Sequence, residues 1–228
     1  MQSIKQIKQL YKINNRIKNE VCLNTINYIN DTNLLHIYKN TKSVQKKINT
    51  VNNILDEYYI PIHIKNSIQN KLITEIIPPG TKGVIKGNIF NKIVKQFIID
   101  LNFDPNNFEI NFETKISTNT GNSNNYSISE IPDWYIYSKI HNKYLIGMNQ
   151  LDLWSGGHQI NRGYKYINNS TNTGNSTNSD YKIVCVICNN INIKSVNNKV
   201  YKLFDIGFTN NSLCYLNNLS NIIHNYFK

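Results

Sequence analysis

Residues 130–167 read EIPDWYIYSKIHNKYLIGMNQLDLWSGGHQINRGYKYI, and this stretch decides what kind of sheet the chain builds. Residues 134–137 and 143–148 are two short runs rich in aromatic and β-branched side chains, with His141 and Asn142 between them at a turn. That pattern predicts an antiparallel hairpin. A hairpin brings the start of its first strand beside the end of its second. Asp133, directly after Pro132, stands at the first of those ends, and Gln150 stands near the other. Side chains two apart on a strand share a face, so Met148, Gln150 and Asp152 point one way if the strand runs that far, and Asp133 can meet them there. After Gly156 and Gly157, residues 157–167 read as a short helix that carries Gln159, Asn161, Arg162 and Lys165, broken or capped by Gly163.

Outward from the hairpin, residues 108–115 (FEINFETK) alternate apolar and polar. They predict a half-buried strand with Phe108, Ile110 and Phe112 on one face and Glu109, Asn111 and Glu113 on the other. Two segments dominated by Asn, Ser and Thr, 118–129 and 168–180, cannot bury enough apolar surface to offset the cost of ordering and are expected to be mobile loops. Residues 181–188 (YKIVCVIC) form a continuous apolar run suited to the middle of a sheet. Cys185 and Cys188 have the spacing of half a zinc site, but a strand points them to opposite sides and no matching second pair occurs, so core packing is expected. Residues 200–204 and a last helix over 217–227 supply further core.

Toward the N-terminus, Ile4, Ile7, Leu10, Tyr11 and Ile13, then Val44, Ile48, Val51, Ile54 and Leu55, have helical spacing, and residues 1–75 are expected to hold two or three helices. Their lysines read as a solvated face. Residues 64–77 are again helical in spacing, include Glu75 as a candidate accessory carboxylate, and stop at Pro78-Pro79-Gly80. In PPGTKGVIKGNIFNKIV (78–94) the glycines with Lys82 and Lys86 read as a loop that opens a helix and can present N–H groups and positive charge to an anion. The nucleotide-binding order Gly-x-x-x-x-Gly-Lys-Ser/Thr is absent.

Composition bounds the partners. The chain has 228 residues, 40% apolar and 11% aromatic, enough for one substantial core. Lys+Arg is 25 against 14 Asp+Glu, a formal charge of +11, which favours a polyanion such as nucleic acid. Because Asn, Ile, Lys and Tyr crowd the whole chain, arginine is the more informative base, and only Arg16 and Arg162 occur. No apolar run reaches the roughly eighteen residues a membrane span needs, and the N-terminus lacks a signal-peptide core, so a soluble, intracellular (cytoplasmic) protein with no membrane partner and with free thiols is expected.

Carboxylates, a glutamine and basic side chains gathered by a hairpin are the parts of a metal-dependent phosphodiesterase. Phosphodiester hydrolysis needs an activated water, charge neutralisation at the phosphate and help for the leaving oxygen, and Mg²⁺ held by carboxylates can supply all three. Two acidic side chains suffice, since Mg²⁺ takes few protein ligands. Asp133 and Asp152 fit as metal ligands, with Glu113 on the neighbouring strand as a third.

These residues resemble a family. Pro132-Asp133 followed by a hairpin and a polar strand end resembles the PD-(D/E)xK nuclease superfamily. IGMNQLDLWSGGHQINRGYKYI (146–167) resembles a subset of type II restriction endonucleases that carry a comparable NQ-x-DLW-x-GG-x-Q-x-NRG-x-KY block. The close match covers residues 130–167, with weaker similarity at 78–94.

The resemblance implies an α/β (α+β) restriction-endonuclease-like core, a central mixed sheet flanked by helices, with a helical N-terminal region. It implies one nuclease domain over 1–228, of which 1–75 is the helical part and 76–228 the catalytic core. It also implies Mg²⁺-dependent, site-specific cleavage of double-stranded DNA by a homodimer, and allows a cognate DNA methyltransferase acting on the same site.

The chain departs from the superfamily pattern, because Met148-Asn149-Gln150-Leu151-Asp152 stands where an acid-x-lysine would be. In the variant site so implied, Asp133 is the first metal ligand, Gln150 replaces the lysine in orienting the attacking water, Asp152 supplies the second carboxylate and Lys165 restores the positive charge. Arg162, Asn161, Gln159, Lys165, Lys82 and Lys86 are the candidate DNA contacts, arginine because its planar fork suits phosphate or guanine. A catalytically inactive DNA-binding protein on the same fold is the alternative. A His-Asn-His nuclease built from His141, Asn142, His158 and Asn161 is a third reading.

Overall fold

The computed structural model describes residues 4–65, 67–68, 77–116, 130–153, 157–172, 181–189 and 198–228. They fall into two compact units, Met1–Asn19 with Phe90–Lys228, and Glu20–Ile89. The junctions between the two units lie at 19/20 and 89/90. Of the expected mobile loops, 118–129 lies outside the described residues, as do Glu75, Trp154 and Gly156.

The helical character of the first part is as the spacing predicts. Helices α1 (Ile4–Asp31), α2 (Leu34–Lys39) and α3 (Lys42–Glu57) follow one another, and α4 (Pro79–Asp100) comes next among the labelled elements. Within the unit Glu20–Ile89, Ile29, Ile77 and Ile85 form a buried cluster with Leu34, Tyr38 and Ile89 packed against it. The Tyr38 and Thr81 hydroxyls meet at 3.2 Å.

One local expectation is overturned here. The glycine-rich stretch is not a loop but the first half of α4, which begins at Pro79, a residue whose fixed φ suits the first helical position. Gly80, Gly83 and Gly87 lower helix propensity by about 1 kcal/mol each relative to Ala. Burial of Ile77 and Ile85 in this unit outweighs them. Lys82 and Lys86 are therefore half-buried helical residues, and they do not border an anion-cradling loop.

The other unit is built on a five-stranded mixed sheet in the order β1 (Phe108–Phe112), β2 (Trp134–Ser138), β3 (Lys143–Gln150), β4 (Tyr181–Ile187), β5 (Leu213–Tyr215). The first two pairings are antiparallel and the last two parallel. Helix α5 (Gly157–Asn172) connects β3 to β4, α6 (Asn198–Thr209) connects β4 to β5, and α7 (Leu216–Tyr226) ends the chain. The predicted hairpin is β2–β3, turning at 139–142 with Asn142 in the left-handed region at φ 51°. The predicted central strand is β4, paired on both sides. Three-residue β5 carries no sequence pattern of its own.

The pleat sorts the two layers. On one face Met148, Ile183, Cys185, Ile187, Leu213 and Tyr215 join Leu153, Tyr166, Ile167, Leu203 and Phe204, so α5 and α6 cover that side. On the other, Lys95 of α4 lies over the Phe112 ring, Phe108 stacks edge-on against Phe227, and Lys182 approaches Tyr226 just before it, so the Phe90–Asp100 part of α4 and the C-terminal helix cover this side. Cys185, Cys188 and Cys214 are buried free thiols, as core packing requires.

Helix α5 is longer than expected. It passes through Gly163 without a break and continues to Asn172, taking in the first part of the segment 168–180; the rest, 173–180, lies outside the described residues. The reason is contact, not propensity. Gly163 is buried, and a Cβ there would meet Phe204 at 3.2 Å, so a glycine lets α5 and α6 approach closely.

Candidate active site

Asp133 and Gln150 stand where β2 starts and β3 ends. Trp134 pairs with Gly147, and the buried indole lies where a Gly147 side chain would be, 1.8 Å from an added Cβ. Its N–H donates to Asn149 Oδ1 at 3.1 Å. With Trp134 turned to that face, Asp133 stands one residue before the strand, at the end of the sheet where β2 starts. Its backbone N–H donates to the Gly147 carbonyl at 3.1 Å, and its own carbonyl accepts from the Glu113 N–H at 3.1 Å.

The Asp133 carboxylate is part-buried and bonded on both oxygens. Asn91 Nδ2, from α4, donates to Oδ1 at 3.0 Å, and the Asn149 backbone N–H donates to Oδ2 at 2.6 Å. Hydrogen bonds to a charged group stabilise it by about 1.5–3 kcal/mol each. Burial nonetheless prevails: desolvation raises the Asp133 pKa above the ordinary carboxylate value against both hydrogen bonds, with the Glu113 charge raising it further and Arg162 lowering it. The group titrates above a normal aspartate, as carboxylates held for proton or metal chemistry often do.

Glu113 directly follows β1, is exposed, and has φ 51°, a left-handed backbone that a residue with a Cβ adopts only at some cost. Its charge acts on Asp133. Gln150 ends β3, and its Oε1 accepts from Arg162 Nη1 at 3.3 Å across to α5. Asp152, two residues past the strand, accepts from Asn189 Nδ2 at 3.3 Å. Among the described residues, the charges of Glu113 and Arg162 act on Asp133. The structure thus brings Asp133, Glu113, Gln150 and Arg162 into one neighbourhood, with Asp152 bonded to the segment after β4.

Lys165 has a different partner. Its Nζ lies 3.2 Å from Glu130 Oε1, while the Tyr166 hydroxyl donates to Oε2 at 2.7 Å. These contacts, the tyrosine first, hold the Glu130 carboxyl below the usual range against its own burial, with a further contribution from Arg162. Burial, then Glu130, pushes the Tyr166 phenol up, so the hydroxyl stays a donor. Gln159 is half-buried and Asn161 exposed on the same helix. Lys82 and Lys86 belong to the other compact unit.

The His-Asn-His arrangement is not formed. His141 and Asn142 occupy the β2–β3 turn, where Tyr137 donates to Asn142 Oδ1 at 2.8 Å. His158 lies on α5 beyond the opposite end of β3. The length of the hairpin holds them apart.

Asn91, Glu130 and Tyr166 were not legible as site residues. Asn91 is one asparagine in a chain full of them, and Glu130 and Tyr166 find each other only because α5 folds back under the sheet. The one local hint is that Glu130 precedes Asp133 by three residues.

Asp133 and Glu113 are joined through their main chains, and the Glu113 charge acts on the Asp133 carboxylate. Among the described residues no group of three or more His, Cys, Asp or Glu side chains converges as a ready-made cage. Compared with family models, with curated proteins and with solved structures, the chain finds no match in any of the three.

Proposed function

We propose that the chain is a Mg²⁺-dependent endonuclease that cleaves double-stranded DNA at specific sites, on a restriction-endonuclease-like core, and that Asp133 is its central residue. The observation that carries this reading is the placement of Asp133. A part-buried carboxylate with a raised pKa stands at the end of a mixed sheet, beside Glu113, with Gln150 and Arg162 at the adjoining strand end. Helices flank that sheet on both faces, which agrees with the fold the block at 146–167 implies. The charge of +11 gives a phosphate backbone a reason to approach.

In this site Asn91 and the Asn149 N–H fix the orientation of the Asp133 carboxylate, and each oxygen keeps a further lone pair. Asp133 and Glu113 would hold Mg²⁺, which supplies an activated water and charge neutralisation at the phosphate. Arg162 brings its guanidinium to the same place, and Gln150 ties it to the strand end. Asp152, Lys165, Gln159 and Asn161 remain candidates for the second carboxylate and for DNA contacts. Cutting both strands of a palindromic site calls for two copies of the site, hence a homodimer.

The second reading, a DNA-binding protein without catalysis, is favoured by one observation: both oxygens of Asp133 are already engaged by protein donors. One experiment separates the two. Purified protein incubated with plasmid and Mg²⁺ or Mn²⁺ should give discrete fragments. Asp133→Ala should abolish them while DNA binding, followed by mobility shift in Ca²⁺, is retained. Cleavage that survives Asp133→Ala removes the assignment, and binding with no cleavage by the unaltered protein favours the inactive reading.

A further inference from the structure

Acid-x-lysine triplets occur at 113–115 and 180–182 but not at the end of β3, where the chain has Met148-Asn149-Gln150-Leu151-Asp152, and the two basic side chains of α5 are placed differently. Lys165 and Tyr166 both bond Glu130, one to each carboxylate oxygen. Arg162, almost one turn earlier and exposed, donates through Nη1 to Gln150 Oε1 at the end of β3. Residues three apart on a helix lie on adjoining positions, so the two cations share a face but not a partner. A guanidinium has five donors in a planar fork, and the bond to Gln150 engages one of them. Gln150 follows Asn149, whose N–H holds Asp133, so the anchor of Arg162 and the anchor of Asp133 are consecutive residues of one strand. The field of Arg162 reaches Asp133, consistent with that placement.

We propose that Arg162, anchored by Gln150 beside Asp133, is the catalytic cation that contacts the scissile phosphate, and that Lys165 is a positioning residue held by Glu130. The proposal rests on the nuclease reading above and assigns Gln150 a second role, as the tether of the arginine.

The test uses the full chain and supercoiled plasmid under single-turnover conditions with protein in excess, so that weakened binding does not register as slowed cleavage. Arg162→Ala should slow nicking about 100-fold, the loss typical of removing one preorganised electrostatic donor. Affinity for the same DNA in Ca²⁺ should stay within about threefold. Because the side chain is exposed, the variant should melt with the unaltered protein, and methylguanidinium in solution should restore about tenfold of the lost rate. Lys165→Ala should cost less, about tenfold, and should not respond to methylguanidinium. If the Arg162→Ala loss disappears at saturating protein, Arg162 is a DNA contact only and the proposal fails. It fails equally if Lys165→Ala is the more damaged variant, or if methylguanidinium does not help a folded Arg162→Ala protein. No nicking by the unaltered protein removes the nuclease reading itself, a result distinct from each of these.

Discussion

At the scale of single residues, Asp133 and Gly147 carry opposite lessons. Desolvation raises the pKa of Asp133, so its ionised form is less stable in the folded chain than in the unfolded one. The folded state then binds the proton more tightly, and stability contributed by this group rises as pH falls through the raised pKa. Asp133→Asn, in metal-free buffer, should raise the melting temperature at pH 7. Asn91 can turn its amide to present oxygen to the new NH₂. The advantage should shrink as pH approaches about 4, where the unfolded aspartate also takes up a proton. A lower melting temperature for Asp133→Asn at pH 7 would show that the two hydrogen bonds outweigh burial. Gly147 is structural: a methyl group there would overlap the Trp134 ring at 1.8 Å, and that ring is buried and bonded to Asn149. Gly147→Ala should cost about 3 kcal/mol, the upper end of ordinary overpacking, and denaturant unfolding should show it as a lowered midpoint. An unchanged midpoint would mean that the indole leaves its place.

At the scale of elements, helix α4 tests whether its glycines serve anything but chain geometry. Nothing lies within 4 Å of a Cβ added at Gly83, and its backbone is helical. Gly83→Ala should therefore stabilise the protein by about 0.5–1 kcal/mol through reduced freedom of the unfolded chain. If the same substitution weakens DNA binding instead, close backbone approach at this helix regains its case. Gly207 behaves in the reverse way, because an added Cβ would lie 2.9 Å from Ile167 and Leu213, where α6 crosses α5 and β5. The contrast shows what the sequence could not rank. Each glycine is followed directly by an apolar residue, Val84 or Phe208, yet nothing lies within 4 Å of an added Cβ at the first while the second meets a packed contact. The hairpin was legible because period-two alternation and a turn are local. The extent of α5 and the existence of β5 were not, because both depend on neighbours far along the chain.

At the scale of the whole molecule, the excess of positive charge makes a thermodynamic prediction. If the protein binds DNA through phosphates, the logarithm of its affinity should fall linearly with the logarithm of salt concentration, with a slope of about −0.9 for each phosphate neutralised. Arg162→Ala should flatten that slope by about 1 at most. Binding that is insensitive to salt would remove charge as the reason for the interaction. Among the described residues no helix is long and apolar enough to cross a membrane. The sequence by itself determined the hairpin, the central strand Tyr181–Ile187, the helical character of the first part and the candidacy of Asp133, because each rests on spacing within a few residues. Only the tertiary structure decided that Lys165 belongs to Glu130, that Arg162 belongs to Gln150, and that Asn91 supports Asp133 from another helix. Those pairings are set by how helices lie against the sheet, and side chains that meet across 12, 35 or 42 residues leave no periodic trace in the chain.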